Sequence, residues 1–221
     1  MTRLLLVFAF LLSFASPAHA ASLEQELSAL QNEWARIKYV VNAKEQKLSA
    51  IAKLEVKAEE VVKNFPKSAE AKIWQAIILA TDANITKGIA ALPKVEKAKA
   101  LLEESLKINP RAMDGSAHMT LGSLYFQVPG WPVGFGNDKL AEEHFQKALA
   151  INPANLDTNY WYGEFMLDQG RPAEAIKHFQ TAQKAPIRKE RRVADEGRLR
   201  EVQFSLNKAI KENTKKAKGN E

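Results

Sequence analysis

A pattern of small and aromatic residues occurs twice in this chain, and it constrains the fold more than any other feature. Residues 122–153 and 163–186 each carry alanine, phenylalanine and alanine at spacings of four and three before a proline. The matching residues are Ala141, Phe145 and Ala148 in the first stretch, and Ala175, Phe179 and Ala182 in the second. Such spacing places the three side chains on one face of a helix. Each stretch therefore predicts a helical hairpin, and the repetition predicts a stack of hairpins.

The rest of the chain extends the same organisation. Apolar residues recur every three or four positions over residues 23–41 and again over 44–64, as expected of amphipathic helices. We predict one all-α domain that spans residues 21–213. Its parts are hairpins at residues 22–66, 68–110, 111–153 and 155–186 and a closing helix at 188–213, and a basic flexible tail follows at 214–221. Only the ending of the first hairpin resembles the others, so its status as a true repeat is left open.

Two insertions interrupt the repeat. The small residue of the first helix and the first alanine of the second helix are 12 residues apart in the last hairpin, 19 in the middle one and 22 in the earlier one. The extra residues fall between the two helices of a hairpin, so both insertions should emerge on the same rim of the stack. The second insertion contains Trp131 and Phe135 among prolines and glycines, which exclude regular helix. This loop either folds back as a cap or contacts a partner or ligand.

The first twenty residues form a separate segment. Arg3 precedes an apolar run from Leu4 to Leu12, and Ala18-His19-Ala20 supplies small residues at a cleavage site. This pattern is typical of a secretory signal peptide at residues 1–20, and the run is far shorter than the roughly 20 residues that span a bilayer. We expect export to the periplasm and a soluble mature protein.

Composition narrows the classes of site that the chain can hold. Cysteine is absent, which excludes a lipid-modified cysteine, a thiol nucleophile, a thiolate metal site and disulfides. The formal net charge is +6, and the surplus is concentrated near the C-terminus, in Arg188-Lys189 with Arg191-Arg192 and in Lys215-Lys216 with Lys218. We interpret the surplus as a solvated tail, with weak contact to an anionic membrane surface as the alternative, and we expect no nucleic-acid partner.

The repeated residues resemble the tetratricopeptide repeat, whose pattern places Gly, a large residue, Ala, an aromatic residue, Ala and Pro in that order. The last hairpin matches with Tyr162-Gly163, Met166, Ala175, Phe179 and Ala182, and the middle hairpin matches with Leu121-Gly122, Tyr125, Ala141, Phe145, Ala148 and Pro153. The resemblance implies a tetratricopeptide-like α-solenoid. In such stacks the first helices line a concave face that serves as a binding surface.

A narrower resemblance rests on two short segments. Gly134-Phe135-Gly136 followed by Asp138, and Asp195-Glu196-Gly197-Arg198, look like the T component associated with TRAP transporters. In that family a periplasmic helical-repeat protein partners a solute-binding protein of an uptake system. The resemblance implies an envelope protein partner of that kind. The chain departs from the family's frequent lipoprotein pattern because it has no cysteine.

The sequence shows no cluster typical of an active site, so we predict a protein that is not an enzyme and has no catalytic residue, cofactor or metal. His144 and His178 occupy equivalent repeat positions, but two imidazoles without an acidic or thiolate companion make a poor metal site. His118 is expected in the core or at an interface. Neighbouring glutamates such as Glu142-Glu143 point about 100° apart on a helix and indicate solvated faces.

What remains is a recognition surface. We expect the concave face and the rim loop to bind a partner or ligand through Trp74, Met119, Ser123, Phe126, Trp131, Phe135, Tyr160, Trp161, Glu164 and Asp168. The predicted function is a non-catalytic periplasmic scaffold for protein–protein interaction, accessory to a TRAP-type uptake system. One alternative is a carrier of a small, partly apolar ligand beneath the loops, and a more remote one is a hydrolase whose groups converge only in three dimensions. The sequence leaves a homo-oligomer open.

Overall fold

A computed structural model describes residues 22–218, and that part of the chain folds into nine α-helices joined by short loops. The helices are α1 (Leu23–Tyr39), α2 (Lys44–Asn64), α3 (Ala69–Thr86), α4 (Leu92–Ile108), α5 (Ala112–Gln127), α6 (Asp138–Ile151), α7 (Leu156–Asp168), α8 (Pro172–Gln183) and α9 (Arg192–Lys218). Two single 3₁₀ turns, Ile89–Ala91 and Lys189–Arg191, precede α4 and α9. The predicted signal peptide lies outside the described residues.

Side-chain caps fix where several helices begin. Ser22 and Gln25 form a capping box at the start of α1, because each side chain bonds the backbone of the other. Asn137 accepts a hydrogen bond from the backbone of Leu140 at 3.0 Å and begins α6. Pro172 stands at the first position of α8, where a missing backbone donor costs little.

The helices pack as hairpins in chain order. α3 packs on α4, α5 on α6 and α7 on α8, while the first helices α3, α5 and α7 also contact one another along the inner side. α1 and α2 form a further hairpin against α3, and α9 packs on α8. The predicted all-α stack of helical hairpins is confirmed.

The same close contact between a glycine and a phenylalanine occurs within each of the two hairpins that match the repeat best. A Cβ atom added to Gly122 would lie 2.8 Å from the ring of Phe145, and one added to Gly163 would lie 2.6 Å from the ring of Phe179. Both phenylalanine rings are fully buried. Glycine is therefore required at both positions so that the two helices of each hairpin can approach closely.

The helices differ from the sequence-based expectation in three places. For α3 the apolar pattern predicts an end near Asp82, but the helix continues to Thr86, and α9 continues past the predicted end at Asn213 to Lys218. The basic segment 214–218 is thus helical, and Lys216 donates a hydrogen bond to the carbonyl of Gly170 at 3.0 Å. Within α5, residues 113–115 have left-handed backbone angles, so regular helix begins only after that turn.

No helix within residues 22–218 is both long enough and apolar enough to cross a membrane.

Candidate functional site

The concave side brings most of the predicted inner residues together. One cavity of about 420 Å³ is lined by Trp74 from α3, Met119 and Ser123 from α5, and Tyr160 and Trp161 from α7. This volume is typical of pockets for small molecules, which measure roughly 300–1,000 Å³. The cavity also receives side chains from α1, α2 and α9, which the sequence did not assign to this face.

Three of the residues predicted for the concave face, Phe126, Glu164 and Asp168, do not line this cavity. The residues of α5 that line the cavity are Met113, Ser116, Met119, Thr120, Ser123 and Gln127. Phe126 is not among them and packs edge-on against Phe165, with ring centroids 5.6 Å apart. Asp168 is exposed at the end of α7, and Glu164 is half-buried with an oxygen that has no hydrogen-bond partner within residues 22–218.

The sequence analysis did not predict a cluster of charged side chains that lies at one end of the cavity. Arg198 of α9 donates to Asp157 at 2.8 Å and to Glu201 at 2.6 Å, and Arg188 lies 3.7 Å from Asp157. Burial alone would raise the pKa of Asp157, but the surrounding arginines, led by Arg198, lower it to about 2. Asp157 is therefore a carboxylate throughout the physiological range, and it organises the arginines around it.

The same cluster joins the two ends of the chain. The hydroxyl of Tyr39 in α1 bonds Glu201 of α9 at 3.1 Å, and Lys38 lies 3.5 Å from Glu201. Gly197 lies against the Tyr39 ring so closely that an added Cβ would collide with it. Burial, aided by the charge of Arg198, lowers the pKa of Lys38 to about 8. Contact between α1 and α9 closes the concave side.

The sequence could not reveal this closure, because the contacts join residues more than 150 positions apart with no shared motif. Basic residues of the segment Arg188–Arg192 were interpreted as part of a solvated surplus. That interpretation is wrong for Arg188, which is bonded to Asp195 at 2.6 Å, and for Arg191, whose guanidinium lies 5.4 Å from the Trp74 ring.

The two insertions do meet on one rim of the stack. Side chains from both loops line an apolar groove of about 400 Å³, including Ile89 and Leu92 from the first and Val128, Pro129 and Val133 from the second. Beside the groove, Trp131 is 90% exposed, Ile89 81% and Val133 56%. We call these three residues the rim patch.

The two aromatic residues of the second loop have different environments. Phe135 is half-buried and packs edge-on against Tyr125 at a centroid distance of 5.6 Å, whereas Trp131 projects into solvent. The loop is held by backbone hydrogen bonds from Gly136 to Pro129 at 3.0 Å and from Asn137 to Tyr125 at 2.9 Å. Phe135 thus caps the hairpin, and Trp131 projects from a loop whose backbone is held at both ends.

Two half-buried histidines of the middle hairpin lie together, His118 on α5 and His144 on α6. The Nδ1 atoms of His118 and His144 are 3.0 Å apart, and the Tyr125 ring stacks on His144. Burial lowers the pKa of His144 to about 4, with a further contribution from His118. His178 instead bonds Asn159 at 3.0 Å. Among the described residues, no three histidine, aspartate or glutamate side chains converge on a common metal position.

Comparison with known proteins agrees with this architecture. Residues 136–186 match the tetratricopeptide repeat family. The type IV pilus assembly protein PilF of Pseudomonas aeruginosa is 34% identical over 114 residues, which make up 51% of this chain and 42% of that protein. The chain thus spans less than half the length of this relative.

Two crystal structures of MamA have 18% sequence identity to the chain. One covers 80% of this chain and 98% of its own with a TM-score of 0.44, and the other covers 87% and 95% with a TM-score of 0.43. The family match rests on the hairpin that contains Phe179 and on the helix before it, α6, which carries Phe145. Residues 136–186 are thus similar to tetratricopeptide repeats, and the repeated glycine–phenylalanine contact shows that the middle and last hairpins pack in the same way.

Proposed function

We propose that the protein is a non-catalytic scaffold that binds a partner protein through the rim patch and the adjoining groove. The observation that carries this proposal is the position of Trp131, which is 90% exposed on a loop anchored at both ends. A large exposed apolar side chain is unfavourable in water and is common at interaction sites. Tryptophan is also among the residues enriched in binding hot spots.

The anchored loop supports the same proposal. Binding costs less when a contact residue is held in place beforehand, since less conformational freedom is lost. The backbone bonds of Gly136 and Asn137 and the packing of Phe135 on Tyr125 hold the loop in this way. Trp131 can then insert into a partner without the loop having to become ordered.

For the partner, we propose a protein of the cell envelope. The predicted signal peptide supports export to the periplasm, and the partial similarity to a type IV pilus assembly protein supports an assembly component as one kind of partner. The resemblance to the TRAP T component supports a solute-binding protein as the other. Fractionation of cells tests the location. We expect cleavage after Ala20 and release of the protein with the periplasmic fraction. An uncleaved protein in the cytoplasmic fraction would contradict export.

Photo-crosslinking in cells tests the rim patch directly. We would place p-benzoylphenylalanine at position 131 in one variant and at position 204 in another. Phe204 is the matched control, because it is an aromatic residue that is 74% exposed on α9. A single crosslinked envelope protein at position 131, absent at position 204, is the expected result. Equal crosslinking at both positions, or none at 131, would contradict a docking role for the rim patch.

A second candidate function follows from the groove itself. Its walls are mostly apolar, and its volume of about 400 Å³ suits a small ligand, which agrees with the carrier alternative. Replacing Ala83, which lines the groove, with leucine should fill part of it. If an apolar ligand can be extracted from wild type but not from the Ala83→Leu variant, while crosslinking at position 131 is unchanged, the carrier function is favoured over the scaffold.

A further inference from the structure

The closed concave side forms a site separate from the rim patch. The 420 Å³ cavity is surrounded by α1, α3, α5, α7 and α9, and it shares only Ala80, Asn84 and Gln127 with the rim groove. Because α1 and α9 are in contact, side chains from both ends of the described chain line this cavity.

The walls of this cavity suit a flat apolar group. Three of the four tryptophans of the chain line it, namely Trp34, Trp74 and Trp161. Met113 and Met119 of α5 add flexible, polarisable side chains opposite these rings. Aromatic rings and thioethers both pack favourably on another aromatic ring.

The charges of the cavity do not balance. Four cationic residues, Lys38, Lys47, Arg191 and Arg198, line it together with only two anionic ones, Asp157 and Glu201. Arg198 already bonds both carboxylates, and Lys38 lies 3.5 Å from Glu201. Within residues 22–218, the side chain of Arg191 has neither a hydrogen bond nor a carboxylate within 4.0 Å.

The surroundings of Arg191 leave other polar atoms without partners. Its Nε atom is buried and unbonded, and so are Nε1 of Trp74 and Oγ1 of Thr120, two further residues that line the cavity. Buried donors are normally satisfied, and a buried cation is normally paired. Burial also lowers the pKa of Arg191, although arginine remains charged. This end of the cavity therefore presents a positive charge and three buried polar atoms that none of residues 22–218 pairs.

We propose that this cavity binds a small organic acid, a carboxylate attached to an aromatic body, with Arg191 as its counter-ion. The guanidinium donates to the carboxylate oxygens in the paired geometry that arginine offers to carboxylates. The aromatic body lies among the tryptophan rings, and small movements of Trp74 and Thr120 bring their polar atoms to the ligand. No other part of the cavity supplies a cation that is free of carboxylates and stacked near an indole.

Isothermal titration calorimetry with a defined probe tests this assignment. The probe is 1-naphthaleneacetate, and the neutral comparison compound is 1-naphthaleneacetamide, which has the same rings but no charge. The chain offers a matched pair of variants, because Arg192 follows Arg191 directly yet is exposed and paired with Glu196 at 2.7 Å. We would compare wild type, Arg191→Met, Arg191→Lys and Arg192→Met, after checking each by circular dichroism.

The expected result is that wild type binds the acid at least tenfold more tightly than the amide. Arg191→Met should lose that preference, Arg191→Lys should keep part of it, and Arg192→Met should keep all of it. Equal binding of acid and amide, no binding of the acid at millimolar concentration, or the same loss in Arg192→Met would each overturn the proposal. The comparison of acid and amide uses wild type, so it remains decisive even if Arg191→Met fails to fold.

The C-terminus of a peptide also carries a carboxylate, so a third compound is needed to distinguish a peptide ligand from a small acid. N-acetyl-Ala-Ala-Phe carries an aromatic group beside a terminal carboxylate. Weaker binding of this peptide than of naphthaleneacetate is expected from the enclosed volume of the cavity. Tighter binding of the peptide would overturn the assignment to a small acid. Neither result depends on Trp131, so failure here leaves the scaffold proposal intact, and the reverse also holds.

Discussion

At the scale of single residues, the pair His118 and His144 makes folding sensitive to acid. The two Nδ1 atoms are 3.0 Å apart, and Lys147 and Lys99 add positive charge while Glu103 adds negative charge nearby. The pKa of His144 falls from 6.5 to about 4, chiefly because of burial. The unfolded chain therefore binds more protons than the folded one between these values, and stability falls as the pH drops from 6.5 towards 4.

We expect His144→Gln to weaken that dependence. Urea unfolding measured at several pH values should show a smaller loss of the free energy of unfolding between pH 6.5 and 4 than in wild type. Gln146→Ala, an exposed neutral site on the same helix, serves as the control and should follow wild type. An unchanged slope in His144→Gln would contradict the assignment of this histidine as a neutral folded residue.

Replacing the two aromatic residues of the second loop one at a time should change the free energy of unfolding by different amounts. Trp131→Ser removes an exposed side chain and should change the free energy of unfolding by less than about 0.5 kcal/mol. Phe135→Ser removes the ring that packs on Tyr125 and should cost about 2 kcal/mol. Urea unfolding of both variants measures this. A larger loss for Trp131→Ser than for Phe135→Ser would show that the loop is arranged differently.

At the scale of helices, the repeated glycine–phenylalanine contact defines the register of the stack. Phe145→Ala should lower the free energy of unfolding by about 3–5 kcal/mol, because the ring is fully buried. Phe204→Ala is the control, since that ring is 74% exposed, and it should be nearly neutral. Comparable losses in the two variants, measured by urea unfolding, would overturn the register.

Most of the helices could be predicted from the sequence because each depends on local information. Apolar periodicity, the caps at Ser22 and Asn137, and Pro172 lie within or beside the helices that they define. The left-handed turn at residues 113–115 could not be predicted in this way. It brings Gly115 against Ile151, so its cause lies in another helix.

The candidate site was predicted only in part, for the same reason. Trp74, Met119 and Trp161 lie on the inner stripes of their helices, and periodicity places such residues correctly. The contact of His118 with His144 did have a signal, since His118 lies one helical turn before Gly122 and His144 directly precedes Phe145. Arg191 had no such signal, because it lies on the turn before α9 and its position depends on how that turn and α9 contact α1.

At the scale of the whole molecule, the closure of the stack can be tested because the chain has no cysteine. In the double variant Tyr39→Cys and Gly197→Cys, the two thiols stand at positions where the Tyr39 ring packs directly on Gly197. We expect dibromobimane to join them within one molecule and become fluorescent. The control pair, Tyr39→Cys with Phe204→Cys, uses an outward position on the same helix and should react far less. Equal reaction of both pairs would contradict the closed stack.

The central functional claim is that Trp131 binds a partner protein. The most direct test is the dissociation constant of the envelope protein crosslinked at position 131, measured by biolayer interferometry with wild type, Trp131→Ser and Phe204→Ser. Loss of a hot-spot tryptophan predicts at least a tenfold rise in the dissociation constant, or about 1.4 kcal/mol, for Trp131→Ser and no change for Phe204→Ser. An unchanged constant for Trp131→Ser, or the same rise for Phe204→Ser, would contradict the claim.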